Sequence, residues 1–261
     1  MNEIAGKMIP ESTEARRRLH QEMDVWRDAG LVPRVFVRDD DAVEDTPALR
    51  RLISIMERHG CPLLLAVIPE PATSNLAALL EDHPIVTPAV HGFRHDNHAP
   101  FGERARELGS RPAPVVLAEL RQGRKKLRAM FGERLSPILV PPWNRIDAEV
   151  AARVDEAGFA AISAHGWDEA GEPTPRINTH VDVMHWSGGR IGRSHEWVFG
   201  QLADNLAIAR QKGGLPVGLL THHLAHDEQA WTVLEDAMAL LATNGVKWAA
   251  ADTLWPAKAE R

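Results

Sequence analysis

Tyrosine is absent from the 261 residues and cysteine occurs once, although there are eight tryptophans. Without a phenol, no tyrosine serves as a catalytic acid or base. The lone Cys61 cannot close an internal disulfide, which fits a reducing compartment. It follows a His-Gly helix stop and opens an apolar run, so it reads as a small buried hydrophobe. No segment approaches 18 uncharged apolar residues, and the opening MNEIAGKMIPESTEARRRL holds no apolar signal core. A soluble, cytoplasmic chain without a membrane span is the expectation.

Positive charge is also short. Lys and Arg total 30 against 36 Asp and Glu, a net charge of -6, which argues against a nucleic-acid binder. The one basic run, Arg121 to Arg128, lies among Leu117, Leu120, Leu127 and Met130 at helical spacing and reads as a solvated helix face. No Gly-x-Gly-x-x-Gly follows a strand and no Walker pattern is present, which removes the main support for a dinucleotide fold. SGGRIGRS, around Gly188 to Gly192, reads as a glycine turn.

What the chain does have is alternation. A helix over about residues 12–29 sets Ala15, Leu19, Met23 and Trp26 on one face. Short apolar runs then alternate with helical patterns: RVFVR, PLLLAVI, IVTPAV, SPILV, FAAISA, LPVGLLT and VKWAAA, with HVDVMHW near His180 as a candidate extra strand. The runs are nearly continuous in apolar character, as in strands buried on both faces. That pattern predicts a (β/α) barrel of about seven parallel strands, built as one domain over residues 1–261. Trp231 and Trp255 are core or dimer contacts on this reading, so a homo-oligomer is one expectation.

Barrel chemistry sits at the C-terminal ends of strands. Asp39, Asp40 and Asp41 follow the first strand. HGFRHDNH, with His91, His95 and His98, follows the third. PPWN, Pro141 to Asn144, follows SPILV, and His165, Trp167 and Asp168 follow FAAISA. His222 and His223 follow LPVGLLT, with His226 and Asp227 close behind. Asp45-Thr46-Pro47 looks like a helix start, but a cap needs one carboxylate, and three adjacent ones are easier to hold beside a cation.

In this order the motifs resemble the polysaccharide deacetylase family, the NodB-homology carbohydrate esterases of family 4, over roughly Val35 to His226. The resemblance implies a distorted (β/α) barrel. It places the family's first block on VRDDD, so that Asp39 matches the catalytic base and Asp40 the metal ligand, with His91 and His95 as the metal histidines. His222 matches the general acid, and Pro142 and Trp143 the proline and aromatic of the third block. Asp41 stands where the family has glycine, so a register slid by one, with Asp40 as base and Asp41 as ligand, stays open. The third-block arginine that orients the base is replaced by Leu139 or Val140, leaving Arg38, Arg94 and Arg145 as candidates for its role.

The implied activity is hydrolysis of an N-acetyl group on a small or lipid-linked sugar, using one divalent ion. Zinc suits an Asp-His-His set with an open position, and cobalt, manganese and nickel are alternatives. Asp39 would take a proton from water and His222 would give one to the leaving amine. Trp143, Pro142, Asn144, Trp167 and His223 are the expected substrate contacts, supported by Asp41, Arg38, Arg94 and His98. Two other readings remain: hydrolysis of a cyclic imide, ureide or other small amide, and a non-catalytic sugar-binding barrel.

Overall fold

A computed structural model describes residues 14–168, 174–250 and 253–254. Helix α1 (Glu14–Asp28) leads into β1 (Arg34–Ala42), α2 (Pro47–Arg58), β2 (Leu63–Val67), α3 (Ser74–Glu81), β3 (Val86–His91), α4 (Ala113–Phe131), β4 (Ile138–Val140), α5 (Ala148–Ala151) and β5 (Ala161–Ile162). The rest runs β6 (Val181–Asp182), β7 (Met184–His185), β8 (Ile191–Gly192), α6 (His195–Gln211), β9 (Val217–Thr221), α7 (Glu228–Thr243) and β10 (Lys247–Trp248). Local chemistry sets several boundaries. The Thr46 hydroxyl caps α2 by accepting from the Leu49 N–H, with Pro47 in the first turn. Gly188 and Gly189 form the turn of the β7–β8 hairpin.

The main sheet has the order β5-β4-β3-β2-β1-β9-β6, with every pairing parallel. Its two ends meet through the segment that leads into β6. There Ile177 N–H donates to the Ile162 carbonyl and Thr179 N–H to the Ala164 carbonyl, while His180 N–H donates to Gly218 of β9. The sheet therefore curls into a distorted α/β barrel of seven parallel strands. The seventh is the strand within HVDVMHW. VKWAAA supplies only β10, which pairs with Arg34 and Val35 because β9 pairs with β1 from Val35 and β2 only from Val37 onward, leaving that start of β1 open on the β2 side.

Two apolar layers result. Phe36, Leu64, Ala66, Ala89, Val140 and Ile177 fill the barrel interior, while Val35, Val37, Leu63, Leu65, Val217 and Leu219 face the helices. Residues i and i+2 of a strand share a face, which explains the division. Gly218 is required where Phe36 crosses the interior, since a Cβ there would lie 2.5 Å from the Phe36 ring and 2.7 Å from the Thr179 Cα. Outside the barrel, α1 buries Ala15, Leu19, Met23 and Trp26, and the Trp26 indole donates to the Leu206 carbonyl of α6 at 3.2 Å. Trp231 is core, and Trp255 lies outside the described residues. Cys61 is fully buried, and burial pushes its thiol pKa up.

On β1 the alternation carries Phe36, Arg38 and Asp40 inward and Val35, Val37 and Asp39 outward. A bulge then breaks it: Asp39 pairs with Leu65 and Ala42 with Val67, three steps against two, with Asp41 at φ 74°. The extra residue turns Asp41 inward beside Asp40 and returns Ala42 to the outer core.

Candidate metal centre and its cavity

Asp41, His91 and His95 converge at the C-terminal ends of β1 and β3, with candidate ligand atoms all within 4.8 Å of one another. Nε2 of His91 lies 3.1 Å and Nε2 of His95 3.4 Å from the same Asp41 oxygen. His91 Nδ1 donates to the Val140 carbonyl at 3.0 Å, so a neutral ring points its Nε2 lone pair at the carboxylate. Two acceptors that close repel unless a proton or a cation stands between them, and the chemistry of the set suits a divalent ion. Burial raises the Asp41 pKa, but the hydrogen bond and charge of His91, with His222 and His95, outweigh it and hold the carboxyl below its usual range. For His91, burial acts downward and is overcome by the Asp41 hydrogen bond and by the charges of Asp40 and Asp41. His95 is lowered by burial and by His91.

A buried carboxylate shapes the loop that returns His95. Glu107, 1% exposed, accepts from the backbone N–H groups of Phe93, Arg94 and His95 at 3.1, 2.7 and 3.1 Å. Gly92 must be glycine, because a Cβ there would sit 1.9 Å from Glu107 Oε2 and 2.6 Å from Pro142. The His95 ring then packs on Trp143, centroids 4.2 Å apart.

Beside this cluster the fully buried Arg38 grips Asp40 with two hydrogen bonds of 2.8 and 2.9 Å. Its remaining N–H groups donate to Ser163, to the Ala164 carbonyl and to Asn144 Oδ1. His222 Nε2 is 3.9 Å from Asp40 Oδ2, and its ring stands T-shaped to that of Trp186, centroids 4.5 Å apart. Asp40, Asn144, Trp186 and His222 join the Asp41, His91 and His95 cluster in lining a cavity of about 740 Å³. Asp41, His95, Trp143, Asn144 and Arg190 line it with positive φ, five of the six such non-glycine residues described. Strained backbone of this kind collects at functional sites.

Asp40, Asp41, His91, His95, Trp143, Asn144 and His222 thus share the cavity. Of the expected pair, Asp40 lines the cavity, whereas Asp39 points to the helix side and is fully buried there. Its carboxylate accepts from the Thr221 hydroxyl at 2.6 Å, the His223 N–H at 2.9 Å and His223 Nδ1. Burial pushes the Asp39 pKa up, and the His223 charge and hydrogen bond, helped by Thr221, bring it below the usual value. His223 is therefore a partner of Asp39 and does not line the cavity. Trp167 also lies elsewhere, donating to Asn205 at 2.8 Å and stacking on His180. Pro142 is buried under Gly92, Arg94 is exposed over Phe93, and the His98 N–H donates to the Arg106 carbonyl. Glu107, Asp182, Trp186, Arg104 and Arg190 escape the sequence patterns, although Asp182 and Trp186 belong to HVDVMHW, while His165, read at a strand end, does line the cavity.

No protein-family model matches the chain, and no curated protein matches it in sequence. Its structure does have relatives. A Mycobacterium smegmatis protein assigned to the polysaccharide deacetylases superposes with TM-score 0.63 at 15% identity, over 87% of this chain and 93% of its own. A peptidoglycan N-acetylglucosamine deacetylase superposes with TM-score 0.57 at 14% identity, over 90% of this chain and 98% of its own. A CE4 family pseudoenzyme from Bacillus anthracis does so with TM-score 0.55 at 13% identity, over 83% of this chain and 63% of its own. The chain has the NodB-like fold of the family 4 carbohydrate esterases.

Proposed function

We propose that the protein is a divalent-metal-dependent hydrolase that removes the acetyl group from the nitrogen of an N-acetylated sugar. The observation that carries this reading is the convergence of Asp41, His91 and His95 with an arginine-held Asp40 and with His222 around one cavity of a NodB-like barrel. Asp41, His91 and His95 would hold the ion, in the second of the two registers that the sequence leaves open. When bound, the ion supplies Lewis acidity, making a water more acidic and an acyl carbon more electrophilic.

The remaining chemistry belongs to the chain. Asp40 faces the cavity next to the ligand set, and the two Arg38 hydrogen bonds fix its orientation; it accepts the proton of the attacking water. Arg38 performs from β1 the orienting task that the resemblance assigns to a third-block arginine. His222, close to Asp40, gives a proton to the leaving nitrogen, because an amine departs poorly as an anion. Trp143 and Trp186 offer aromatic faces for a sugar ring.

The test is elemental analysis of purified wild type and of His91→Ala/His95→Ala, with acetate release measured from N-acetylglucosamine and its oligosaccharides. About one divalent ion per chain, lost in the double variant, with acetate release lost in Asp40→Asn, supports the proposal. A chain that takes up no zinc, cobalt, manganese or nickel and releases no acetate overturns it and favours the sugar-binding barrel.

A further inference from the structure

The mouth of the cavity holds positive charge that the proposed reaction leaves unused. Arg104 and Arg190 are exposed, Arg145 is half-buried, and all three line the cavity. None has a carboxylate partner among the described residues: Arg145 donates to the Ala105 carbonyl at 2.9 Å, and Arg190 lies over the Trp186 ring. Elsewhere in this acid-rich chain Arg17–Glu14, Arg50–Asp45, Arg111–Glu119, Arg153–Glu156 and Arg210–Glu22 are paired. Arg34, Arg121 and Arg134, which have no carboxylate partner among the described residues, are scattered and donate to carbonyls; what sets the mouth apart is three such cations lining one cavity.

The carboxylates of the cavity do not cancel this surplus. Asp40 is neutralised by Arg38 and Asp41 faces the two histidines. Asp182, held by the Met184 N–H and the Trp186 indole at 2.9 and 2.8 Å, remains as one carboxylate against three guanidinium groups. Burial lowers the Arg145 pKa, and the neighbouring Arg104 and Arg106 lower it further. Arg104, Asn144 and Arg145 also border an adjoining groove of about 650 Å³, so these cations stand where a substrate would continue out of the cavity. Guanidinium groups match phosphate and carboxylate oxygens with paired, charge-assisted hydrogen bonds.

We infer that the substrate's N-acylated sugar carries an anionic oxygen group, a phosphate or a carboxylate, and that Arg104, Arg145 and Arg190 bind it at the cavity mouth. The sugar in this statement rests on the deacetylase reading; the anion rests on the arginines alone.

Binding and acetate release are measured on the same metal-loaded samples with N-acetylglucosamine, its 1-phosphate, its nucleoside diphosphate ester and an N-acetylated uronic acid. Wild type is compared with Arg104→Gln/Arg145→Gln and with Arg190→Gln, with urea midpoints to verify folding. At least one anionic sugar binds about tenfold or more tightly than the neutral one, and the ratio collapses in the double variant and falls with added salt. Phosphate over uronate, or diphosphate over monophosphate, identifies the source of the charge. Equal binding of neutral and anionic sugars, or a preference unchanged in the variants, overturns the inference and leaves the deacetylase reading standing. Arginine-dependent anion binding without acetate from any sugar sinks the deacetylase reading and keeps the anion site.

Discussion

Asp41 with His91 and His95 faces the barrel interior, while Asp39 with His223 and Thr221 faces the helices from the same strand two residues away. Both sets contain carboxylate and imidazole, yet they are built for different ends. The Asp41 side chain is 33% exposed, and ring nitrogens converge on one of its oxygens. The Asp39 side chain is wholly buried, and both of its oxygens already have protein donors. An open set with facing lone pairs can take up a cation, whereas a closed set can only tie β1 to β9. The bulge after Asp39 decides which is which, because it turns two successive carboxylates inward and leaves the third outside.

The largest effects separate the three aspartates. Asp40→Asn lowers acetate release by about 10²–10⁴-fold with the ion retained, as expected for loss of a general base. Asp41→Asn loses the ion itself, measured by elemental analysis, and Asp39→Asn keeps it. Ion retention in Asp41→Asn together with loss in Asp40→Asn would return the site to the other register and break the comparison. The two adjacent histidines divide the same way. His222→Ala keeps the fold and lowers acetate release by about a hundredfold. His223→Ala strands a buried carboxylate and costs about 3–5 kcal/mol in urea unfolding.

Glu107 sharpens the open side alone. Its three accepted N–H bonds hold the turn from His91 to His95, and Glu107→Gln presents amide hydrogens to at least one of those donors. Ion affinity by chelator competition falls about 10–100-fold, the range for outer partners of metal ligands. The variant stays folded, and an unchanged affinity would show that the loop keeps its shape without the carboxylate.

Much of the barrel is readable from the sequence because strands buried on both faces announce themselves as continuous apolar runs and helices by their stripes. HVDVMHW is readable only as a candidate, since two of its residues pair with β9, the segment before it joins β5 and His165 through isolated bridges, and Asp182 and Trp186 face the cavity. The histidines are legible because the motif spacing is local. The roles of Asp39, Asp40 and Asp41 are not, because a bulge has no signature in three identical side chains. Glu107 is invisible for a related reason: it acts through backbone N–H groups more than ten residues away in sequence. Arg38 is readable only as a candidate, because its pairing with Asp40 depends on which face the bulge leaves inward.

The two sides also carry opposite pH slopes in the metal-free chain. On the closed side, burial first, then the nearby His222 and His223, hold His226 near a pKa of about 4 against an ordinary 6.5, although Asp39 acts the other way. An unfolded chain binds that proton at higher pH than the folded one, so the contribution is complete above 6.5 and is lost as pH falls toward about 4. On the open side His91 is raised above 6.5, so its contribution is complete below 6.5 and is lost as pH rises through the folded value. Urea midpoints of metal-free protein therefore decline toward both ends of this range. His226→Gln flattens the acid limb and leaves the alkaline one. Saturating zinc removes the alkaline limb, because an ion at Nε2 of His91 replaces the proton that the Asp41 oxygen otherwise demands. An alkaline limb that survives zinc would mean that His91 titrates without reference to the ion, and the open set would then be a second structural clamp.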